Sequence, residues 1–140
     1  MEVEVSTTID RPISTVWDFY AVNHVENHPR WDPTIELTVD SDEPIGVGTV
    51  IKRRTNRFGR ITEGTMEVIE FDPERSMRVR TQDGPMLIDG WALFEAVDDG
   101  HTRLRIGGEF PGLDETMADR FRPMMERSVS TIKQLIESES

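Results

Sequence analysis

The sequence predicts a single α+β domain over residues 1–140, in which an antiparallel sheet packs against one long C-terminal helix. Apolar and polar residues alternate in short runs from residue 34 to residue 110, and turn sequences separate the runs, which is typical of antiparallel strands. From residue 113 onward the apolar residues recur every three or four positions, which indicates an amphipathic helix. No linker, repeat or low-complexity segment interrupts the chain, so we expect one domain.

The chain begins with a strand and two short helices. From Glu2 to Ile9 polar and apolar residues alternate, as in a half-buried strand. The motif Asp10-Arg11-Pro12 then begins a helix, because proline fits the first helical turn and an aspartate there faces the positive end of the helix. A second helix is expected from about Val22 to His28. Pro29 ends it, because proline disfavours the helical conformation in the residue before it.

Six further strands are expected between residues 34 and 110, because turn sequences divide this segment. The turns are rich in glycine, proline, asparagine and aspartate, and they cover residues 46–48, 56–59, 72–74, 83–85 and 98–100. The strands cover about residues 35–39, 49–55, 61–71, 77–80, 86–97 and 103–106. Strands joined by such short turns pair antiparallel.

The last predicted element is a helix from about Leu113 to Glu137. At 1.5 Å per residue, about 25 residues make a helix roughly 37 Å long, which is enough to cross a small domain. Pro123 lies within this helix, where it removes one backbone hydrogen bond and is expected to bend the axis.

Composition and charge exclude several classes of function. The formal net charge of −11 repels nucleic acids and anionic membrane surfaces, so neither is an expected partner. The absence of cysteine removes disulfides, thiolate metal sites and cysteine nucleophiles. No apolar run approaches the roughly 20 residues that span a bilayer, and the alternating acids and valines at the N-terminus are unlike a signal peptide. We therefore expect a cytoplasmic protein without stable membrane insertion.

The elements follow one another as a strand, two short helices, six strands and a long helix, and short motifs mark most of the junctions. These motifs are Ile9-Asp10-Arg11-Pro12, Val16-Trp17, Asn27-His28-Pro29-Arg30-Trp31-Asp32-Pro33, Gly46-Val47-Gly48-Thr49, Glu70-Phe71-Asp72-Pro73 and Gly100-His101-Thr102-Arg103-Leu104. Over nearly its full length the chain resembles the SRPBCC superfamily, also called START-like, and within it the polyketide cyclase/dehydrase and lipid-transport group.

The resemblance implies a helix-grip fold, in which a seven-stranded antiparallel sheet wraps around the last helix and leaves a cavity beneath it. Members of the superfamily include lipid carriers, hormone receptors, aromatic polyketide cyclases and chaperone co-activators. The fold alone does not choose among these activities. We expect a small hydrophobic or aromatic ligand as the partner, and no cofactor.

Candidate residues for this cavity come from both helices and strands. His28 and Trp31 suit its mouth, and they equally suit the end of the second helix and a plug in the core. His24 precedes His28 by four residues, which is metal-ligand spacing, but no third ligand is evident and no metal is expected. Methionine adapts to irregular shapes and suits a cavity that accepts varied ligands. The expected ligand-binding residues are His28, Trp31, Arg53, Met66, Met86, Phe94, Met117, Phe121 and Met124.

Arg53 is the least ordinary member of this set. If Ile51 faces inward, the alternation of the strand also turns Arg53 inward, whereas a register shift of one residue would turn it outward. A buried unpaired guanidinium costs several kcal/mol, so it would need a carboxylate, water or an oxygen of the ligand. Glu70 is the one carboxylate considered for this role, provided that a bulge before Phe71 turns it inward.

Three functions remain open on the sequence alone. The protein is either a binder or carrier of a hydrophobic molecule, or a polyketide cyclase or dehydratase acting in the same cavity, or a protein-interaction module. The last reading rests on a basic hairpin with Phe58 at its tip, which is equally a solvated surface feature. Its basic residues are Lys52, Arg53, Arg54, Arg57 and Arg60.

Overall fold

The computed structural model describes all 140 residues and confirms the predicted fold class. Seven strands form one sheet: β1 Glu2–Ile9, β2 Ile35–Thr38, β3 Val50–Arg57, β4 Arg60–Asp72, β5 Ser76–Asp83, β6 Met86–Asp98 and β7 His101–Glu109. The helices are α1 Ile13–Trp17, α2 His24–Trp31 and α3 Glu115–Glu139. The spatial order of the strands is β1-β7-β6-β5-β4-β3-β2, and every neighbouring pair is antiparallel.

The helical segment after β1 differs from its prediction in three details. Pro12 has an extended backbone and precedes α1 instead of lying in its first turn. A π-helical turn, Asp18–Val22, follows α1 directly, and it was not expected. The second helix was expected to end before Pro29, but α2 continues to Trp31. Proline removes only one hydrogen bond there, and the burial of Trp31 in the main core stabilises the extra turn.

Most of the core lies between the sheet, the short helices and the second half of α3. One cluster joins Ile9, Trp17 and Ile51 to Ile132 and Ile136 of α3. A smaller cluster joins Val3 to the residues around the start of α3. These two clusters hold α3 against the sheet, with β1 as its main neighbour.

The long helix α3 begins later than predicted. The helix begins at Glu115 instead of Leu113, because the carboxylate of Asp114 caps it by accepting a hydrogen bond from the backbone N–H of Met117 at 2.9 Å. Leu113 lies just outside the helix and is buried in the smaller cluster. Pro123 lies within α3, and the bend expected there stays a prediction. None of the helices combines the length and the apolar composition that a membrane-spanning helix needs.

The hairpins place side chains by register. Phe58 and Gly59 form the two-residue turn between β3 and β4, with φ angles of 53° and 75°, as in the turns that match strand twist. A register shift lies between Val68 and Glu70 in β4. Gly64 of β4 lies directly between Arg53 of β3 and Asp83 of β5. This alignment places Arg53 opposite Asp83 with one strand between them.

Candidate functional site

A cavity of about 510 Å³ lies between the inner face of the sheet and helices α2 and α3, and half of its 26 lining residues are hydrophobic. Six of the nine residues expected to bind a ligand line it: His28, Trp31, Arg53, Met66, Phe121 and Met124. Met77 and Met125 also line it. The chain therefore brings four methionines to one cavity, two from strands and two from α3.

Three expected residues do not line the cavity. Met86 is the first residue of β6 and pairs with Asp83 beside the tight β5–β6 turn. Phe94 faces inward but is buried in the core, where its ring packs edge-on against Trp17 at 5.0 Å. Met117 lies in the first turn of α3 and is 38% exposed. Alternation and helical spacing predict which face of a strand or helix a residue lies on. They do not predict how far along that element the cavity extends.

An aromatic stack forms the wall that α2 contributes. The Trp31 ring lies between the rings of Tyr20 and His28, with both centroid distances at 5.1 Å and interplanar angles of 13° and 20°. Trp31 is buried in the core and also lines the cavity, and its contact with a ligand stays a prediction. Tyr20 was not among the expected site residues, although its place on the apolar stripe of the first helix is the signal that identifies it.

His24 and His28 form a hydrogen-bonded pair at the same wall. His24 Nδ1 lies 2.8 Å from the backbone oxygen of Tyr20, and His24 Nε2 lies 3.0 Å from His28 Nδ1. Burial lowers the pKa of His24 to about 4. The pKa of His28 is lowered well below its ordinary value, mainly by burial. The nearby His24, Arg53 and Arg57 lower it further. Both rings are therefore neutral at pH 7.

This pair does not resemble a metal site, since the two rings bond to each other instead of facing a common point. No group of three or more histidine, cysteine, aspartate or glutamate side chains lies close enough together to hold a metal ion. The spacing of four residues brings the two rings into contact along α2 and does no more than that.

Arg53 faces inward, as the alternation with Ile51 predicts, and is only 8% exposed. Its partner is Asp83 and not Glu70: Arg53 Nε lies 3.0 Å from Asp83 Oδ1. The N–H is not aligned with that oxygen, so the two atoms form an ion pair while both lack a hydrogen bond. Burial lowers the pKa of Arg53, an effect that Asp83 partly offsets. Glu70 instead accepts hydrogen bonds from Ser76 and Arg78 on the half-exposed outer part of the bulge.

Gly64 makes this ion pair possible. Arg53, Gly64 and Asp83 are cross-strand partners in register, and the middle position carries no side chain. A Cβ atom on residue 64 would lie 1.8 Å from the backbone oxygen of Gln82 and 2.7 Å from Asp83 Oδ1. The guanidinium and the carboxylate therefore meet across a strand because glycine leaves the space between them free.

Comparison with known proteins assigns this architecture to a family. The family model described as polyketide cyclase / dehydrase and lipid transport matches residues 1–137. The chain belongs to this family. No curated protein matches the chain in sequence.

Solved structures of low sequence identity share the fold of this polyketide cyclase/dehydrase and lipid-transport family member. A START superfamily protein from Mycobacterium smegmatis has a TM-score of 0.81 at 11% identity, with 99% of each chain covered. The Zhui aromatase/cyclase from Streptomyces sp. R1128 has a TM-score of 0.73 at 18% identity, with 98% of this chain and 93% of that chain covered. The structure of Ara h 8.0201 has a TM-score of 0.77 at 15% identity, with 99% of each chain covered. These similarities concern the fold.

In this family member the basic hairpin carries less free positive charge than its sequence indicates. Arg57 pairs with Asp32 at 2.6 Å, Lys52 pairs with Asp40 at 2.8 Å, and a longer contact of 3.9 Å joins Arg54 to Glu36. Phe58 at the tip of the hairpin is 60% exposed. The guanidinium of Arg120 from α3 lies 4.1 Å from the centre of its ring. These contacts neutralise most of the hairpin and join its tip to α3.

Proposed function

We propose that the protein binds or carries a small hydrophobic or aromatic molecule in the cavity between the sheet and α3, with an oxygen of that molecule on Arg53. The observation behind this proposal is a cavity of about 510 Å³ with a buried guanidinium in its wall. Ligand sites in proteins have volumes of about 300–1,000 Å³ and combine an apolar lining with a few polar groups. The four methionines and the Trp31 stack supply the apolar part.

Arg53 supplies the polar part. Asp83 compensates its charge but leaves its hydrogen-bonding capacity unused, because none of its side-chain nitrogens has a hydrogen-bond partner in the protein. A guanidinium binds carboxylate, phenolate and polarised carbonyl oxygens well through its planar set of donors. The site therefore favours apolar ligands that end in such an oxygen over apolar ligands that lack one.

The test compares a medium-chain fatty acid with the alcohol of the same chain length by calorimetric titration. The native protein should bind the acid more tightly. The variant Arg53→Met, alone and combined with Asp83→Asn, should lose about 10-fold or more in affinity for the acid and much less for the alcohol, because a hydrogen bond to a charged group contributes about 1.5–3 kcal/mol.

Arg60→Met is the matched control, since Arg60 lies at the same hairpin, is exposed and does not line the cavity. It should leave both affinities unchanged. Equal losses for acid and alcohol in the Arg53 variants would contradict the role of Arg53. Failure of the native protein to bind either ligand, together with native mass spectrometry that shows no co-purified lipid or aromatic molecule, would contradict the binding function itself.

A cyclase or dehydratase activity is the second candidate, because Arg53 and His28 line the same cavity and are the kinds of groups that stabilise an enolate and move a proton. The low pKa of His28 makes it a weak base at pH 7, which favours binding over catalysis. The two functions differ in the fate of the ligand. A carrier releases a bound polyketone unchanged, whereas a cyclase releases a cyclised product and a dehydratase releases a product that has lost one water molecule.

A further inference from the structure

The hydrogen bonds of the two histidines fix the positions of their protons. The backbone oxygen of Tyr20 only accepts hydrogen bonds, so His24 Nδ1, at 2.8 Å from it, must carry a proton. His24 is 2% exposed and neutral, so its other nitrogen, Nε2, has no proton and acts as an acceptor. The only group that donates to it is His28 Nδ1 at 3.0 Å.

The same reasoning fixes the outer end of this chain of hydrogen bonds. Because His28 is neutral and its proton is on Nδ1, its Nε2 carries a lone pair. This Nε2 has no hydrogen-bond partner in the protein and is not among the fully buried polar atoms. His28 lines the cavity, with its ring face held against Trp31.

The rest of the lining offers few competing acceptors. Asp32 is its one carboxylate, and Arg57 and Thr34 both donate to it. Arg53 and Arg57 only donate. The hydroxyls of Ser128 and Thr131 donate to backbone oxygens. The hydroxyls of Tyr20 and Thr81 also line the cavity and can accept as well as donate. The unprotonated Nε2 of His28 differs from them because it can only accept.

We propose that His28 Nε2 accepts a hydrogen bond from the ligand and that the cavity selects hydroxylated aromatic molecules, phenols and stable enols, over their ethers. This inference rests on the proposed binding function and specifies the class of ligand for the same cavity. Arg53 can donate to the oxygen of an ether and to that of a neutral phenol alike, so it does not distinguish these two ligands. The acceptor on His28 makes it, because only the phenol has a proton to donate.

The first experiment measures the tautomers directly. A long-range proton–nitrogen NMR spectrum of the native protein at pH 7 should show His24 and His28 both protonated on Nδ1 and bare on Nε2. His101 is the internal reference, because its ring nitrogens face Asp98 and Asp10 at the surface. A proton on Nε2 of His28 would overturn the inference.

The second experiment titrates naphthalene, 2-methoxynaphthalene and 2-naphthol at pH 7. The native protein should bind 2-naphthol about 10-fold more tightly than the methyl ether, as expected for one hydrogen bond to a buried acceptor. His28→Phe keeps a flat ring against Trp31 and should reduce the ratio of the two affinities to about 1. His28→Gln places an oxygen near the same point and should restore part of the preference.

The outcomes separate the two proposals. If none of the three compounds binds to the native protein, the cavity does not take aromatic ligands and this inference fails, whereas the binding function is decided by the fatty acid and alcohol titrations. If naphthalene binds but the native protein treats the phenol and its ether alike, only the role of His28 fails. His101→Phe, at an exposed histidine outside the cavity, should leave the ratio at its native value.

Discussion

At the scale of single residues, Arg53 and Asp83 form a buried ion pair, and Arg53 also lines the cavity. Their side chains are 7% and 11% exposed, so each charge depends on the other for compensation. Removing one partner of a buried pair is costly because it leaves an uncompensated charge, whereas removing both is often close to neutral.

We therefore expect Asp83→Asn to lower the free energy of unfolding by about 3–5 kcal/mol. Arg53→Met should also destabilise the protein, because it leaves the charge of Asp83 uncompensated. The double variant should be more stable than Asp83→Asn. Urea denaturation of the four proteins measures these differences, and additive losses in the double variant would show that the two charges do not interact.

The sequence predicts the inward position of Arg53 but not its partner Asp83. Alternation with Ile51 turned Arg53 inward, as observed. Asp83 was assigned to a turn, because its partner lies two strands away and the contact depends on the missing side chain of Gly64. Glu70 was considered instead on the strength of a bulge that does exist, but the bulge directs its carboxylate to Ser76 and Arg78. Pairing across a third strand leaves no periodic signal in the chain.

At the scale of elements, the hairpins β3–β4 and β4–β5 depend on Gly64. Gly64→Ala should destabilise the protein by about 1–3 kcal/mol or more, because the added methyl would meet the backbone oxygen of Gln82 at 1.8 Å and strands β4 and β5 would have to move apart.

Gly46→Ala is a matched control, since a Cβ there meets nothing within 4 Å and the backbone needs no positive φ. Thermal unfolding of both variants would compare them. A Gly64→Ala protein as stable as Gly46→Ala would show that the strands accommodate the methyl and that the close contact is not required.

The elements themselves were largely predictable, and the errors have local causes. All seven strands follow from alternation between turn residues. The ends of α2 and α3 were shifted because the burial of Trp31 outweighs one proline and because Asp114 provides a cap that spacing alone does not reveal. The π-helical turn after α1 has no recognisable signal in the apolar stripe.

At the scale of the whole molecule, the buried histidines make stability depend on pH. The folded-state pKa of His24, about 4, lies below the ordinary value of 6.5, and that of His28 is also lowered. The unfolded chain therefore takes up protons before the folded protein does as the pH falls below 6.5. The stabilisation is fully present above pH 6.5 and is lost as the pH falls toward 4.

We expect the free energy of unfolding to decrease from pH 6.5 to pH 5 by about 1.4 kcal/mol per pH unit for His24 alone, with a further loss from His28. Urea denaturation at pH 7, 6 and 5 measures the slope. His28→Phe should make the slope shallower. His101→Gln should not, because hydrogen bonding to Asp98 raises the pKa of His101 and that residue stabilises the protein as the pH falls. Unchanged stability between pH 7 and 5 would contradict this account.

The alignment of Arg53, Gly64 and Asp83 also limits how the cavity can change during evolution. A descendant that gained a side chain at position 64 would lose the space in which the two charges meet, and one that replaced a single charge would pass through a less stable intermediate. The three positions are therefore expected to change together among homologues. Homologues that keep all three residues should share a preference for oxygen-bearing ligands. Homologues that have lost them should have apolar cavities with a different ligand specificity.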